Sequence, residues 1–107
     1  MTTLPKLFSA LADDTRLSIV EQLIQRGESP AGGLIAGRGM TGAAISRHLR
    51  VLREAGLVTR RAEGTRRLYS ANPDGLRAIA DWTRSRRAFW ETSLDRLEAV
   101  ISETDHT

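Results

Sequence analysis

The side chains in this sequence that could bind a ligand or do chemistry are mostly arginines between positions 38 and 67. That stretch contains eight arginines and only two acidic residues, Glu54 and Glu63, so its formal charge is +6, while the whole chain carries +3. Guanidinium groups donate paired hydrogen bonds to phosphate oxygens and to the edge of guanine. A clustered basic segment is typical of a nucleic-acid-binding surface, although a solvated basic face would have the same charge.

An amphipathic helix over residues 42–55 is predicted to present part of this basic segment. Thr41 is a good N-cap and Gly56 a good stop. One side of the helix is apolar, with Ile45, Leu49 and Leu52. The other side begins with small residues that let the backbone approach base edges, followed by Ser46 and Arg47 one turn later. Arg47 is the best candidate for a paired hydrogen bond to guanine. An ordinary amphipathic surface helix is the alternative interpretation.

A hairpin is predicted after this helix, because the periodicity changes to that of strands. Residues 58–62 and 66–71 have strand character, and residues 63–65 form a turn that contains Gly64. Four arginines flank the turn: Arg60, Arg61, Arg66 and Arg67. We expect such a wing to neutralise phosphate charge, although exposed charges also protect an ordinary edge hairpin from aggregation. Tyr69 is expected either in the core or as a hydroxyl donor to phosphate.

The helix and the wing together define the residues that we expect to contact DNA. His48 lies at the edge of the apolar side of the helix, so a local structural hydrogen bond and a contact to DNA are both open for it. The full predicted set is Thr41, Gly42, Ala43, Ser46, Arg47, His48, Arg50, Arg53, Arg60, Arg61, Gly64, Thr65, Arg66 and Arg67.

Three further helices precede the basic segment. The first is predicted from an apolar repeat at helical spacing: Leu4, Leu7, Phe8 and Leu11. The second is capped by Asp13 or Asp14 and ends at Gly27, with a predicted buried stripe of Leu17, Val20, Leu23 and Ile24. The third is short and rich in glycine, with Ser29 as N-cap and Pro30 at its first position.

A long last helix is expected to begin at Asn72 and Pro73. The predicted fold is therefore mainly α with a small β-hairpin, a winged helix-turn-helix of five helices that forms one domain over residues 1–107. Its terminal helices carry more apolar surface than a domain of this size can bury, so we expect an obligate homodimer. The predicted interface residues are Leu4, Leu7, Phe8, Leu11, Trp82, Phe89, Trp90, Leu94, Leu97 and Ile101.

Several classes of protein are disfavoured by what the sequence lacks. It has no cysteine and only two histidines, His48 and His106, so we expect no metal site and no cofactor. It has no nucleophile with a base in context and no phosphate-binding loop, so we do not expect an enzyme. No apolar run is long enough to span a membrane, and the first residues do not resemble a secretion signal, so a cytoplasmic location is expected.

Three segments resemble the ArsR/SmtB family of winged-helix repressors: Ala10–Arg16, Ile45–Val58 and Glu63–Tyr69. The segment Phe89–Glu91, followed by Leu94 and Leu97, is similar to a metal-independent branch of that family. The resemblance covers almost the whole chain. It implies a symmetric dimer built by the first and last helices, and repression of a promoter by blocking polymerase.

Two positions depart from the family pattern. Asp14 replaces the usual proline, and Arg38 replaces a leucine that is usually buried, which makes the third helix the least typical part. The leading hypothesis is a sequence-specific double-stranded DNA-binding repressor that recognises an inverted-repeat operator. A winged-helix protein-interaction module and a nonspecific nucleoid protein are the alternatives. An unknown small-molecule or protein effector, if one exists, is expected to act between the last helix and the helix-turn-helix.

Overall fold

A computed structural model describes residues 3–105, which form five helices and three strands. The helices are α1 (Leu4–Leu11), α2 (Asp14–Arg26), α3 (Ala31–Ile35), α4 (Gly42–Ala55) and α5 (Pro73–Asp105). The strands are β1 (Ser29–Pro30), β2 (Val58–Glu63) and β3 (Arg66–Ala71). This confirms the predicted order of helices and hairpin. His106 lies outside the described residues.

Local capping determines where the longer helices begin and end. The Asp13 side chain accepts a hydrogen bond from the Arg16 amide at 3.0 Å, so Asp13 rather than Asp14 caps α2. The Thr41 hydroxyl oxygen accepts from the Ala44 amide at 3.1 Å and caps α4. Helix α4 ends at Gly56, whose φ of 87° and ψ of 18° lie in the left-handed region that favours glycine.

The sheet contains one more strand than we predicted. Strand order is β1-β3-β2, all antiparallel, and the two-residue loop between β2 and β3 has Gly64 at a φ of 61°. The prediction that Ser29 and Pro30 start α3 is wrong by a short distance. They pair with Tyr69 and Leu68 as β1, and α3 starts one residue later. Backbone pairing with a strand about forty residues away outweighs the local helix-start signal.

One core unites α1 to α4 with the base of the sheet. Its buried residues are Leu7, Ala10, Ile19, Val20, Leu23, Leu34, Ile45, Leu49, Leu52, Ala55, Leu57, Val58, Leu68 and Tyr69. The predicted stripe of α2 is wrong at two positions, because Leu17 and Ile24 are exposed and Ile19 is buried in their place. The sequence has apolar residues on both sides of α2, and contacts with α1 and α4 determine which side is buried.

Arg38 connects the segment between α3 and α4 to α2. Its guanidinium donates to the Leu34 carbonyl, to the Ser18 hydroxyl at 2.9 Å and to the Gln22 side-chain oxygen at 2.8 Å. Gln22 in turn donates to the Gly33 carbonyl at 3.0 Å. These hydrogen bonds hold the glycine-rich connection between α3 and α4 in place.

Helix α5 is packed at its start and exposed beyond it. Helix α5 begins against the end of α4, where Gly75 is buried. A Cβ on Gly75 would come within 3.0 Å of the Gly56 carbonyl carbon and still closer to the carbonyl oxygen. At 33 residues the helix is about 50 Å long by the standard rise. Its later apolar residues, including Leu94 and Leu97, are more than half exposed.

Candidate nucleic-acid interface

The beginning of α4 is open to solvent. Thr41, Gly42 and Ala43 are all exposed. The first amide groups of a helix have no partner within the helix, and Thr41 accepts a hydrogen bond from only one of them. Small side chains and free amides allow this end of α4 to approach a DNA groove or a phosphate closely.

A groove of about 730 Å³ separates α4 from the wing. Five arginines line it together with Ser46 and Tyr69: Arg50 and Arg53 from α4, and Arg60, Arg66 and Arg67 from the wing. Tyr69 is itself mostly buried, so the predicted core position is correct, although part of the residue borders the groove. Helix α4 and the hairpin therefore bring five arginines together around one concave surface.

The charge in this groove is almost uncompensated. Arg50 lies 3.4 Å from the Glu54 carboxylate, and both side chains are highly exposed. Arg53, Arg60, Arg66 and Arg67 have no acidic partner within ion-pairing distance in the part of the chain described. Unpaired arginines around a groove produce a positive potential that attracts a polyanion such as DNA.

The two residues predicted to contact bases lie on different flanks of α4. Ser46 borders the large groove, whereas Arg47 borders a smaller hollow of about 180 Å³ together with Arg16, Ala44, His48 and Val51. Both Ser46 and Arg47 are exposed and belong to the first turns of the helix. Arg47 also has no acidic partner among residues 3–105, so its guanidinium is available to a ligand.

His48 takes part in a local polar cluster. Its Nδ1 lies 3.4 Å from Arg16 Nη1 and 3.9 Å from Asp13 Oδ2, and its side chain is 20% exposed. The amide of Arg16 is the largest cause of a lowered Asp13 pKa; the charges of Arg16 and His48 lower it further and burial opposes them. The local polar contact left open by the sequence is therefore present, and the contact of His48 to DNA stays a prediction.

Arg61 is separated from the other wing arginines. Strand residues alternate between faces, so Arg61 lies on the side of the hairpin opposite Arg60. It donates two hydrogen bonds of 2.7 Å to Glu28 and one of 3.0 Å to Glu63. The Arg61 hydrogen bond holds the Glu28 pKa below its ordinary value, and Glu28 in turn raises the pKa of Arg61. Sequence analysis missed Glu28 because it is 33 residues away from Arg61.

The predicted dimer residues divide into two groups. Phe8, Trp82, Phe89 and Trp90 form a row of aromatic contacts between α1 and α5, with neighbouring ring centroids 5.2–6.3 Å apart. The exposed members of the predicted set continue along α5 with Leu94, Leu97 and Ile101. Leu7 is fully buried in the protomer core, and Leu4 and Leu11 pack against that core. Val100, which is 59% exposed, is a further exposed apolar residue of α5 that the predicted set does not include.

Residues 3–105 contain no group of three or more histidine and acidic side chains placed to hold a metal ion. Among the described helices, none is both long and apolar enough to cross a membrane.

The structural elements define a class of protein. Helices α3 and α4 are joined by a glycine-rich turn, and α4 is followed by a basic two-stranded wing. This arrangement is a winged helix-turn-helix. A helix-turn-helix domain family model matches residues 11–61, which contain α2 to α4 and the beginning of the wing.

Relatives that match over most of their length narrow this class of protein to one family. The chain is 40% identical to the HTH-type transcriptional regulator Rv2034 of Mycobacterium tuberculosis, over 95% of this chain and 92% of that protein. It is 33% identical to the arsenical resistance operon repressor of Escherichia coli, over 90% of this chain and 80% of that protein. The chain belongs to the ArsR-type family of helix-turn-helix transcriptional regulators.

Solved structures agree with this assignment. A crystal structure described as a possible transcriptional regulator for arsenical resistance is 42% identical and superimposes with a TM-score of 0.68, over 91% of this chain and 96% of that one. The Mycobacterium bovis protein Mb0332, described as a homodimeric winged helix-turn-helix DNA-binding domain, is 30% identical with a TM-score of 0.63, over 79% and 81% of the two chains.

Proposed function

We propose that this protein is a sequence-specific repressor that binds double-stranded DNA as a homodimer at an inverted-repeat operator. The observation that carries the proposal is the groove lined by five arginines beside the exposed beginning of α4. A binding function of this kind requires no catalytic residue, and we infer that the protein is not an enzyme. We also propose that the protein is located with DNA in the cytoplasm.

The two parts of the surface have different roles in this proposal. Arg47 and Ser46 lie in the first turns of α4 and contact base edges, where a paired hydrogen bond from arginine distinguishes guanine. Arg50, Arg53, Arg60, Arg66 and Arg67 neutralise backbone phosphates, which contributes affinity with little sequence preference. Gly64 and Thr65 at the tip allow the wing to approach the backbone. Arg61, paired with Glu28 and Glu63, instead stabilises the base of the wing.

The homodimer is supported by the apolar face of α5. Trp90, Leu94, Leu97 and Ile101 follow one another at intervals of four, three and four residues, which is the spacing of a helix–helix seam. All four are substantially exposed in the protomer. The M. bovis relative is described as homodimeric. Two-fold symmetry presents two α4 helices to successive major grooves about 34 Å apart, and hence requires an inverted repeat.

The test is selection of bound sequences from random duplex DNA, followed by titration of the selected site and of a scrambled duplex over a salt series. Arg47→Ala is expected to cost about 1–3 kcal/mol per half-site and to relax preference at one base-pair position. Arg67→Ala is expected to weaken both duplexes more evenly and to lower the salt slope by about one unit per lost contact.

Two outcomes would contradict these roles. If Arg67→Ala collapsed the ratio of specific to nonspecific affinity while Arg47→Ala left it intact, the assignments would be reversed. If the wild-type protein selected no sequence, the specific-repressor proposal would fail. Equal binding to all duplexes would then favour a nucleoid protein, and absence of binding would favour a protein-interaction module.

We also propose that the protein does not sense metals or arsenite, as in the metal-independent branch that its sequence resembles. The E. coli relative is named for arsenical resistance, but this chain has no cysteine to provide a thiolate ligand. Zinc, cadmium and arsenite at micromolar concentration are expected to leave operator affinity unchanged. A tenfold loss of affinity with stoichiometric metal would contradict this proposal.

A further inference from the structure

Arg16, a residue of α2, lies between α1 and α4. Its Nε donates a hydrogen bond of 2.7 Å to the Ala10 carbonyl, and Nη2 lies 3.5 Å from the Ser9 carbonyl. Both carbonyls belong to the last turn of α1, and the Ser9 carbonyl also accepts a hydrogen bond of 3.2 Å from the Ala12 amide. The guanidinium therefore holds the end of α1, the helix that contributes Phe8 to the aromatic row.

The same guanidinium reaches α4 through His48. Arg16 Nη1 lies 3.4 Å from His48 Nδ1. Because guanidinium groups only donate, His48 Nδ1 is the acceptor in the tautomer that makes this hydrogen bond. Asp13 completes the cluster: its carboxylate accepts from the Arg16 amide at 3.0 Å and lies 3.9 Å from His48 Nδ1. One side chain thus makes directional contacts with both α1 and α4.

The space beside this cluster is not closely filled. The hollow of about 180 Å³ between Arg16, Ala44, Arg47, His48 and Val51 lies along this flank of α4. On the buried side of α4, Ile45, Leu49 and Leu52 pack in the core. Apolar contacts are not directional, whereas a hydrogen bond restricts both distance and angle. The rotation of α4 about its own axis is therefore restricted on the open flank mainly by the polar cluster.

We propose that Arg16, Asp13 and His48 form a positioning cluster that fixes α4 relative to α1 and so determines the half-site spacing that the dimer accepts. The inference rests on the proposed function, because it assumes a dimer with one α4 in each half-site. Phe8 on the outer face of α1 moves with the dimer interface, and Arg47, next to His48 in α4, moves with the DNA-contacting side. The cluster joins these two surfaces.

The experiment measures spacing discrimination. The DNA probes are the selected inverted repeat, the same repeat with one base pair added or removed at its centre, and a single half-site. Wild-type protein is expected to bind the altered repeats at least about fivefold more weakly than the selected one, by analogy with a single mismatch. Arg16→Lys keeps the charge but loses the planar guanidinium that contacts both helices. His48→Phe removes the ring nitrogen that contacts Arg16. Each variant is expected to reduce this discrimination at least about twofold. For Arg16→Lys, half-site affinity is expected to stay within about twofold of wild type.

Arg38→Lys is the matched control, because Arg38 also makes a three-way connection, but its hydrogen bonds within residues 3–105 go to α2 and α3. It is expected to leave spacing discrimination unchanged, whatever its effect on stability. Circular dichroism verifies folding, and if Arg16→Lys does not fold, His48→Phe decides. Unchanged discrimination in the folded variants, or an equal loss for half-site and repeat, would overturn the positioning role alone. A wild-type protein that selects no sequence would remove the proposed function as well.

Discussion

Gly75→Ala is expected to destabilise the protein, although it replaces glycine by a better helix former. A Cβ at Gly75 would lie within 3.0 Å of the Gly56 carbonyl carbon and 3.3 Å from the Leu7 side chain. The nearest atoms belong to the backbone and cannot rotate away, so α5 must shift. Overpacking of this kind costs about 1–3 kcal/mol, against a gain in helix propensity of at most about 1 kcal/mol. We expect a net loss of about 1–2 kcal/mol.

Urea denaturation followed by circular dichroism measures this difference, with all variants at one protein concentration because unfolding of a dimer depends on it. Gly32→Ala is the matched control. Gly32 lies in α3 with ordinary helical backbone, and a Cβ there meets nothing within 4 Å. It is expected to raise stability by up to about 1 kcal/mol. If Gly75→Ala were as stable as wild type while Gly32→Ala gained stability, the close approach of α5 to Gly56 would be refuted.

Three further predictions concern the wing, the dimer and the α2 cap. Arg61→Ala is expected to leave the salt dependence of DNA binding unchanged, because Arg61 is paired with Glu28. Arg67→Ala is expected to lower the salt slope by about one unit per protomer. Equal salt slopes for the two variants would contradict this prediction. Leu97→Asp is expected to give a monomer in analytical ultracentrifugation at micromolar concentration, and a persistent dimer would exclude α5 as the interface. Asp13→Asn keeps a capping oxygen but loses the charge; since folding lowers the Asp13 pKa, the stability advantage of wild type is expected at neutral pH and lost as the pH falls through that pKa. A difference in stability between wild type and Asp13→Asn that stays constant with pH would contradict this prediction.

The boundaries of the long helices and of the hairpin could be predicted from sequence because their signals are local. A capping oxygen and the amide it accepts from are three residues apart for both Asp13 and Thr41. The left-handed backbone at Gly56 and the turn at Gly64 likewise depend on the residue type at a single position. The apolar spacing of Ile45, Leu49 and Leu52 matches the helical period, so the buried side of α4 follows directly.

The composition of the candidate site was also predictable in part. Arginines on α4 and in the hairpin are close in sequence to the elements that carry them, so the alternation of strand and helix faces brings most of them together. Arg60, Arg66 and Arg67 border the same groove as Arg50 and Arg53. Arg61 is the exception, because its neighbours in sequence do not reveal the carboxylate of Glu28 to which it donates.

What only the tertiary structure decided are the contacts between residues far apart in the chain. Ser29 and Pro30 carry a helix-start signal, yet pairing with β3 makes them a strand. Arg16 and His48 are 32 residues apart, and nothing in either local sequence indicates that they meet. The sequence by itself determined the helices, the wing and the basic character of the surface, since these depend on propensity, capping and charge within a few residues. The side of α2 that is buried, the pairing of Arg61 and the connection of α4 to α1 depend on how those elements pack, because a side chain's partners are set by the elements that surround it.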